Sequence, residues 1–398
     1  MVNYYKKSLL DCLEALHKAR KDPMKDPLKW KVLQEKLIRR HFYLESRIKK
    51  NKEEIKHINK IRKNPIERLT KEESVNAKNS IDYLEYQNEE YHWLINCYKS
   101  IGDGIAYTFI SRYDIKPQVF KQDAGFMSGK IGYKAEKQLF NQAFKVGMVA
   151  IIHDLTSVLR FRDITLVDDE GYVPIEVKTS SNTNQRVSRQ KENADQLFEY
   201  LYNDQAECLF GTQQKIVRVE MLSEEIHHIG LLNKLIKRSA IQGQAIALAE
   251  RGLLYVVGHN EEGFDAKITS ALARQKMLKP IAHYLNARKF SEMGYYPFSL
   301  SIQDPKEYIN FLEGRLIIIL FMEQAVLEEY AQNFGYKIVP TTKEDYVLTF
   351  KALWKGNSVV EFSVGQHFLD RIGMEFNSMK WTYQEMFTRM NAKDIAVD

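Results

Sequence analysis

Cysteine, proline and glycine are scarce in this sequence, and long apolar runs are absent. The 398 residues include three cysteines, Cys12, Cys97 and Cys208, far apart and without a C-x-x-C pair. A disulfide framework and a cysteine zinc centre are therefore disfavoured, and a cytoplasmic, reducing setting is expected. Nine prolines and 19 glycines are few for a turn-rich all-β protein. The longest apolar run, 316–322, has seven residues, whereas spanning a bilayer takes roughly 18. It suits a buried strand or core helix, and no membrane role is expected. The first twenty residues lack the unbroken apolar stretch of a secretory signal.

Hydrophobic residues make up 44% and charged residues 28% of the chain, enough to bury a sizeable core and to exclude collagen-like or wholly disordered readings. The net charge of +6 is unevenly spread. Residues 1–63 carry 19 Lys/Arg against 8 Asp/Glu, or +11, which leaves −5 for the remainder. A basic arm on a mildly acidic body can meet phosphates, an acidic partner or an anionic surface.

Three regions are expected. Residues 1–100 read as a basic helical hairpin or coiled-coil-like region. Asp26-Pro27 places a cap before proline at the first helical position, and Pro65 marks the stop. Leu37, Leu44, Asn51 and Ile58 repeat every seven, with His41, Ile48 and Ile55 between them. Thr70 with Glu73 forms a capping box. The helix it opens carries Ile81, Leu84, Tyr91, Ile95 and Tyr98 at helical spacing. The seam fits a hairpin within one chain or a coiled coil between chains.

Residues 101–222 read as α/β. A helix is expected over 134–144, strands over 156–167 and 172–179, and a helix over 188–202, followed by strand-like 208–211 and 215–221. Asp168-Asp169-Glu170-Gly171 makes a turn between the first two strands, its glycine free to take positive φ. Residues 223–398 read as a C-terminal α/β domain of mixed elements and unknown role. There 223–250 reads as helical, 253–257 as a buried strand, and 346–353 with 359–364 as a hairpin around 354–358.

The chemistry concentrates in RFRDITLVDDEGYVPIEVKTSS. Strand period puts Glu176 and Lys178 on one face with Val177 inward, and the 168–171 turn returns Asp163 alongside them. Two crowded carboxylates call for a compensating hard cation, Mg²⁺ or Mn²⁺. Such an ion acidifies water and holds a phosphate oxygen, while Lys178 offsets the charge that develops. The bland alternative is a surface hairpin with a Glu/Lys cross-strand pair. Glu136 lies on the helix leading to the strands. On the helix that follows them, Arg189, Asn193, Gln196 and Tyr200 form a stripe that is either solvated or aimed at the phosphate backbone.

The order Glu136, Asp163, Glu176-x-Lys178 and then a helix resembles the PD-(D/E)xK, or restriction-endonuclease-like, nuclease superfamily. Gln196-Leu-Phe-Glu-Tyr200 is similar to the Q-x-x-x-Y signature of its RecB-type branch. The resemblance covers roughly residues 128–202. It implies an αβββαβ core and metal-dependent phosphodiester hydrolysis. By residue-wise carry-over, Asp163 and Glu176 would be metal ligands, Glu136 the helix acid, Lys178 the catalytic lysine, and Gln196 and Tyr200 supports. Arg162 stands where the family often has proline. RecB-type members often place a histidine upstream; His153 occupies such a place, though the end of an apolar run also suits a core residue.

Other motifs fail. Gly125–Lys130 imitates a phosphate loop but has three residues between its glycines and Ile131 where a hydroxyl belongs. His227 and His228, adjacent on a helix, would point about 100° apart. Tyr295, Tyr296 and Phe298 read as core, with stacking on nucleotides as the alternative.

The expectation is a cytoplasmic Mg²⁺- or Mn²⁺-dependent nuclease acting on nucleic acid, DNA by preference, in bacterial restriction or anti-phage defence. Arg189, Asn193, Arg39, Arg40, Lys49 and Lys50 would contact nucleic acid, and a homodimer or partner protein would complete it. The alternatives are a repair or recombination nuclease, or a non-catalytic nuclease-fold module that binds DNA or a protein.

Overall fold

The computed structural model describes residues 2–64, 66, 68–119, 125–177, 185–207, 209, 215–218, 220–259, 264–290, 294–341, 346–353 and 359–393. The chain is mixed α+β with small antiparallel sheets. It separates into two compact units, residues 1–217 and 218–398.

In the first unit, α1 (Val2–Ala19), α2 (Pro27–Arg62) and α3 (Lys71–Phe109) pack on one another. Leu37, His41, Leu44, Ile48 and Asn51 are buried along α2, facing Ile81, Tyr91, Ile95 and Tyr98 of α3. The heptad seam is thus filled from within the chain, and α2 ends at Arg62, before Pro65, which lies outside the described residues. The capping box forms as expected: Thr70 Oγ1 accepts from Glu73 N, and the Glu73 carboxylate accepts from Thr70 N.

The hairpin is not a separate arm. Gln34, fully buried on α2, donates to Ala150 O at 2.6 Å and accepts from Ile152 N at 3.0 Å. The helical layer is thereby bonded into the strand that follows.

After a short helix α4 (Arg112–Ile115) come α5 (Tyr133–Lys145), β1 (Val149–Ile152), β2 (Ile164–Asp168), β3 (Gly171–Ile175) and α6 (Gln185–Asn203). The strands form an antiparallel meander β1-β2-β3. β2 and β3 meet at the expected turn, where Asp168 Oδ1 accepts from Glu170 N and Gly171 N and Gly171 takes φ +146°. The strand expected over 156–167 begins only at Ile164. Upstream of it, Thr156 Oγ1 bonds His153 O and accepts from Leu159 N, and Arg160 Nε bonds Ser157 O. These local side-chain bonds give the backbone an alternative to a ladder. β3 ends at Ile175, so Glu176 and Val177 follow the strand rather than lie within it. β4 (Gln205–Ala206) pairs with β5 (Ile216–Val217). The strand-like stretch 208–211 lies mostly outside the described residues.

In the second unit, the helix expected over 223–250 is two elements. α7 (Ile229–Gln242) stops at Gly243, and Gln244–Glu250 is strand β6. The alanine-rich β6 has helical propensity, but pairing with β7 (Leu253–Gly258) overrides it. β7 is buried at every position, as expected. The apolar run 316–322 supplies β9 (Ile317–Glu323), and with β8 (Pro280–Tyr284) the sheet order is β6-β7-β9-β8. A second sheet joins β10 (Lys337–Val339), β11 (Leu348–Leu353) and β12 (Val359–Val364). The last two are the expected hairpin; its 354–358 loop lies outside the described residues.

Candidate functional site

Three carboxylates from three elements converge on one ammonium. Lys130 Nζ lies 2.9 Å from Glu136 Oε1, 3.0 Å from Asp154 Oδ2 and 3.0 Å from Asp163 Oδ1. Glu136 sits in the first turn of α5, Asp154 in the turn after β1, and Asp163 immediately before β2.

Backbone pairing fixes Asp163. Its N–H donates to Ile175 O at 3.1 Å and its carbonyl accepts from His153 N at 3.0 Å, so it bridges the ends of β1 and β3. Its Oδ2 accepts from Val177 N at 2.9 Å.

The turn bearing Asp154 is held by α3. A Cβ at Gly102 would stand 1.9 Å from Leu155 O, so only glycine permits that approach. The next residue, Asp103, accepts from Ser157 N at 2.7 Å and from Ser157 Oγ. Lys130 is delivered by a segment clamped to α2. Buried Glu45 accepts from Met127 N at 3.0 Å and Ser128 N at 2.6 Å, and Lys49 donates to Ser128 O and Oγ.

The electrostatics follow from this crowding. Burial pushes the Glu136 carboxyl up; Lys130 pulls it back, and the neighbouring Asp163 and Asp154 charges push it up again. Burial acts to lower the Lys130 ammonium, but the three acids outweigh it and hold it above its ordinary value. Glu136 is 1% exposed, and its Oε2 is buried without a hydrogen-bond partner.

Of the expected residues, Glu136 and Asp163 are brought together. Glu176, just past the end of β3, is half-exposed, with Oε2 3.8 Å from Arg162, which also pairs with Asp195 at 2.6 Å. Lys178 lies outside the described residues, as do the side chains of Arg189 and Asn193 on α6. Gln196 lines a polar pocket with Glu199 and Lys215. Tyr200, one turn on, is buried in a cluster with Phe161, Leu197 and Leu209. His153 is buried with Nε2 2.7 Å from Thr165 Oγ1, turned into the sheet. Lys49 is committed to Ser128, Lys50 is exposed, and Arg39 and Arg40 line a cavity with α1.

Sequence reasoning missed Asp154 and Lys130. Asp154 stood beside His153 at the end of an apolar run, and Lys130 stood six residues before Glu136 in the failed phosphate loop. Neither spacing specifies a contact.

All donors in the cluster are carboxylate oxygens, the set a hard divalent cation takes. The unsatisfied Glu136 Oε2 is a further free acceptor there. Among the described residues no three His, Cys, Asp or Glu side chains are gathered as a ready metal site, because these acids are spread around the ammonium. No described helix is long and apolar enough to cross a membrane. Comparison with protein-family models, curated proteins and solved structures gives no match to this chain.

Proposed function

We propose that the first unit is a metal-dependent nuclease of the PD-(D/E)xK type, hydrolysing phosphodiester bonds of nucleic acid, DNA by preference. The observation that carries this reading is the convergence of Glu136, Asp154 and Asp163 beside an antiparallel meander preceded and followed by a helix. The element order α5-β1-β2-β3-α6-β4 supports an αβββαβ core, although β4 pairs with β5 rather than with the meander.

Glu136, Asp154 and Asp163 would hold Mg²⁺ or Mn²⁺. Such an ion supplies Lewis-acid stabilisation of a phosphodiester oxygen and acidifies water. The chain's own contribution is positional. Asp163 is oriented by Val177 N–H, and Asp154 by the Gly102 contact and the Asp103 bonds to its turn. Lys130 supplies a fixed positive charge that offsets the negative charge developing on phosphate. This is the part that the resemblance assigns to Lys178, which lies outside the described residues. Service in restriction or anti-phage defence is the biological setting the resemblance suggests, with repair or recombination as the alternative.

Lys130 also favours a second reading. An ammonium paired with all three acids is what a non-catalytic nuclease-fold module would keep, as a structural ion-pair cluster. Incubation of the full chain with supercoiled plasmid, linear duplex, single-stranded DNA and RNA, in Mg²⁺, Mn²⁺ or EDTA, separates the two. Metal-dependent cleavage lost in Asp163→Asn supports the nuclease. Nucleic-acid binding without cleavage on any substrate supports the module.

A further inference from the structure

We propose that the face shared by α1 and α2 binds the phosphate groups of a phosphorylated nucleoside, at a site separate from the acidic cluster. Lys36, Arg39, Arg40 and Tyr43 follow the i, i+3, i+4, i+7 spacing of one helix face. Across from them, Ser8, Asp11 and Cys12 share a face of α1. Together they line a cavity of about 460 Å³, within the range of small-ligand sites and far larger than a lone phosphate needs.

The charge in this cavity is unbalanced. Three cations face a single carboxylate, and among the described residues none of the three is held in an ion pair with an acid. Some cations elsewhere in the unit are matched: Lys137 pairs with Glu35 and Arg162 with Asp195. Like charges at this helical spacing repel, and an anion bound between them removes the repulsion. Two guanidinium forks and an ammonium are the donors phosphate recognition uses.

The neutral groups fit an anion as well. Ser8 Oγ accepts from the buried Tyr98 hydroxyl at 3.1 Å, which leaves its own hydrogen for a ligand acceptor. Burial pushes the Cys12 thiol up to about 11, against the pull of Lys36, Arg40 and Arg39. It stays neutral, so it neither repels an anion nor acts as a nucleophile, and the site binds without covalent chemistry. The half-exposed Tyr43 ring at the rim offers a face on which a base can stack.

Two sources carry this chemistry, a free nucleoside triphosphate and the 5′-phosphorylated end of a strand. The test titrates the full chain in EDTA with ATP, adenosine, inorganic pyrophosphate, and a short oligonucleotide carrying either a 5′-phosphate or a 5′-hydroxyl. At least one phosphorylated nucleoside ligand should bind at least about tenfold tighter than its unphosphorylated twin. Arg40→Gln and Lys36→Gln should each cost about tenfold, and Lys56→Gln, exposed on the same helix outside the cavity, should cost less than about twofold. Unchanged melting temperatures certify the folds. Tight ATP binding identifies the free nucleotide, and a preference for the phosphorylated strand identifies the end. No preference for phosphate, or an equal loss in Lys56→Gln, would overturn the proposal. Every titration runs in EDTA and reads binding alone, so this proposal and the nuclease reading fail independently.

Discussion

The backbone N–H of Val177 donates to Asp163 Oδ2 at 2.9 Å while Lys130 holds Asp163 Oδ1 at 3.0 Å. Both oxygens of one carboxylate are fixed, one by the chain leaving β3 and the other by the 125–130 segment. Asp163→Asn keeps the shape and removes the charge. It should lower metal-dependent cleavage at least about 100-fold, or ~3 kcal/mol in the barrier. Single-turnover kinetics reads this, with calorimetry showing that the fold persists.

Lys130→Met should make stability depend on a divalent cation. Without the ammonium, three acids in partial burial repel, and removing one partner of such a cluster costs on the order of 3–5 kcal/mol. The melting temperature of the variant should fall in EDTA and recover with millimolar Mg²⁺. A fall that Mg²⁺ does not reverse would show that the acids cannot take a metal.

Glu45→Ala should loosen the 125–130 segment. It leaves the Met127 and Ser128 N–H groups without their acceptor, at about 1–3 kcal/mol for each buried group. Hydrogen exchange at these amides should accelerate while α3 stays protected.

His41 and Asp103 should tilt the stability of the first unit in opposite directions with pH. Burial lowers His41 from 6.5 to about 4. Its neutral folded form therefore contributes stability that is present above 6.5 and lost as pH falls toward 4. Burial raises Asp103 from 3.8 to about 6, partly offset by the Ser157 bonds. Its contribution is present below 3.8 and lost as pH rises through 6. Each is worth roughly 3 kcal/mol in order of magnitude. Denaturant unfolding from pH 4 to 7 should show wild type minus His41→Gln rising with pH, and wild type minus Asp103→Asn falling.

Nucleic-acid binding by α2 should depend on surface charge. Removing residues 1–63 is not a clean test, because Trp30, Leu33, Leu37, Leu44 and Ile48 are fully buried. Neutralising Arg39, Arg40, Lys49 and Lys50 should flatten the log–log salt dependence of duplex binding by up to about 3.6 units if each meets a phosphate. An unchanged slope would remove these residues from the interface.

The helical hairpin and the β2–β3 turn were legible because their signals are local. The heptad spacing, the Thr70–Glu73 box and Asp168 with Gly171 each act within one or two turns of chain. Glu136 and Asp163 were legible through their order. The start of β2 was not, because hydroxyl bonds of Thr156 compete with the ladder. Nor was β6, whose alanines favour helix until β7 pairs with them. Lys130 and Asp154 meet across 24 residues of loop, helix and strand, a contact that only tertiary folding creates. Glu176 stood in the expected order, but β3 ends at Ile175, one residue before it.

The most direct measurement is cleavage of supercoiled plasmid by the purified full chain in Mg²⁺, in Mn²⁺ and in EDTA, alongside Asp163→Asn and Glu136→Gln. Cleavage that requires the metal and falls at least about 100-fold in both variants is the expected result. Cleavage that persists in EDTA, or is unchanged in both variants, would contradict a metal-dependent site built on Glu136, Asp154 and Asp163.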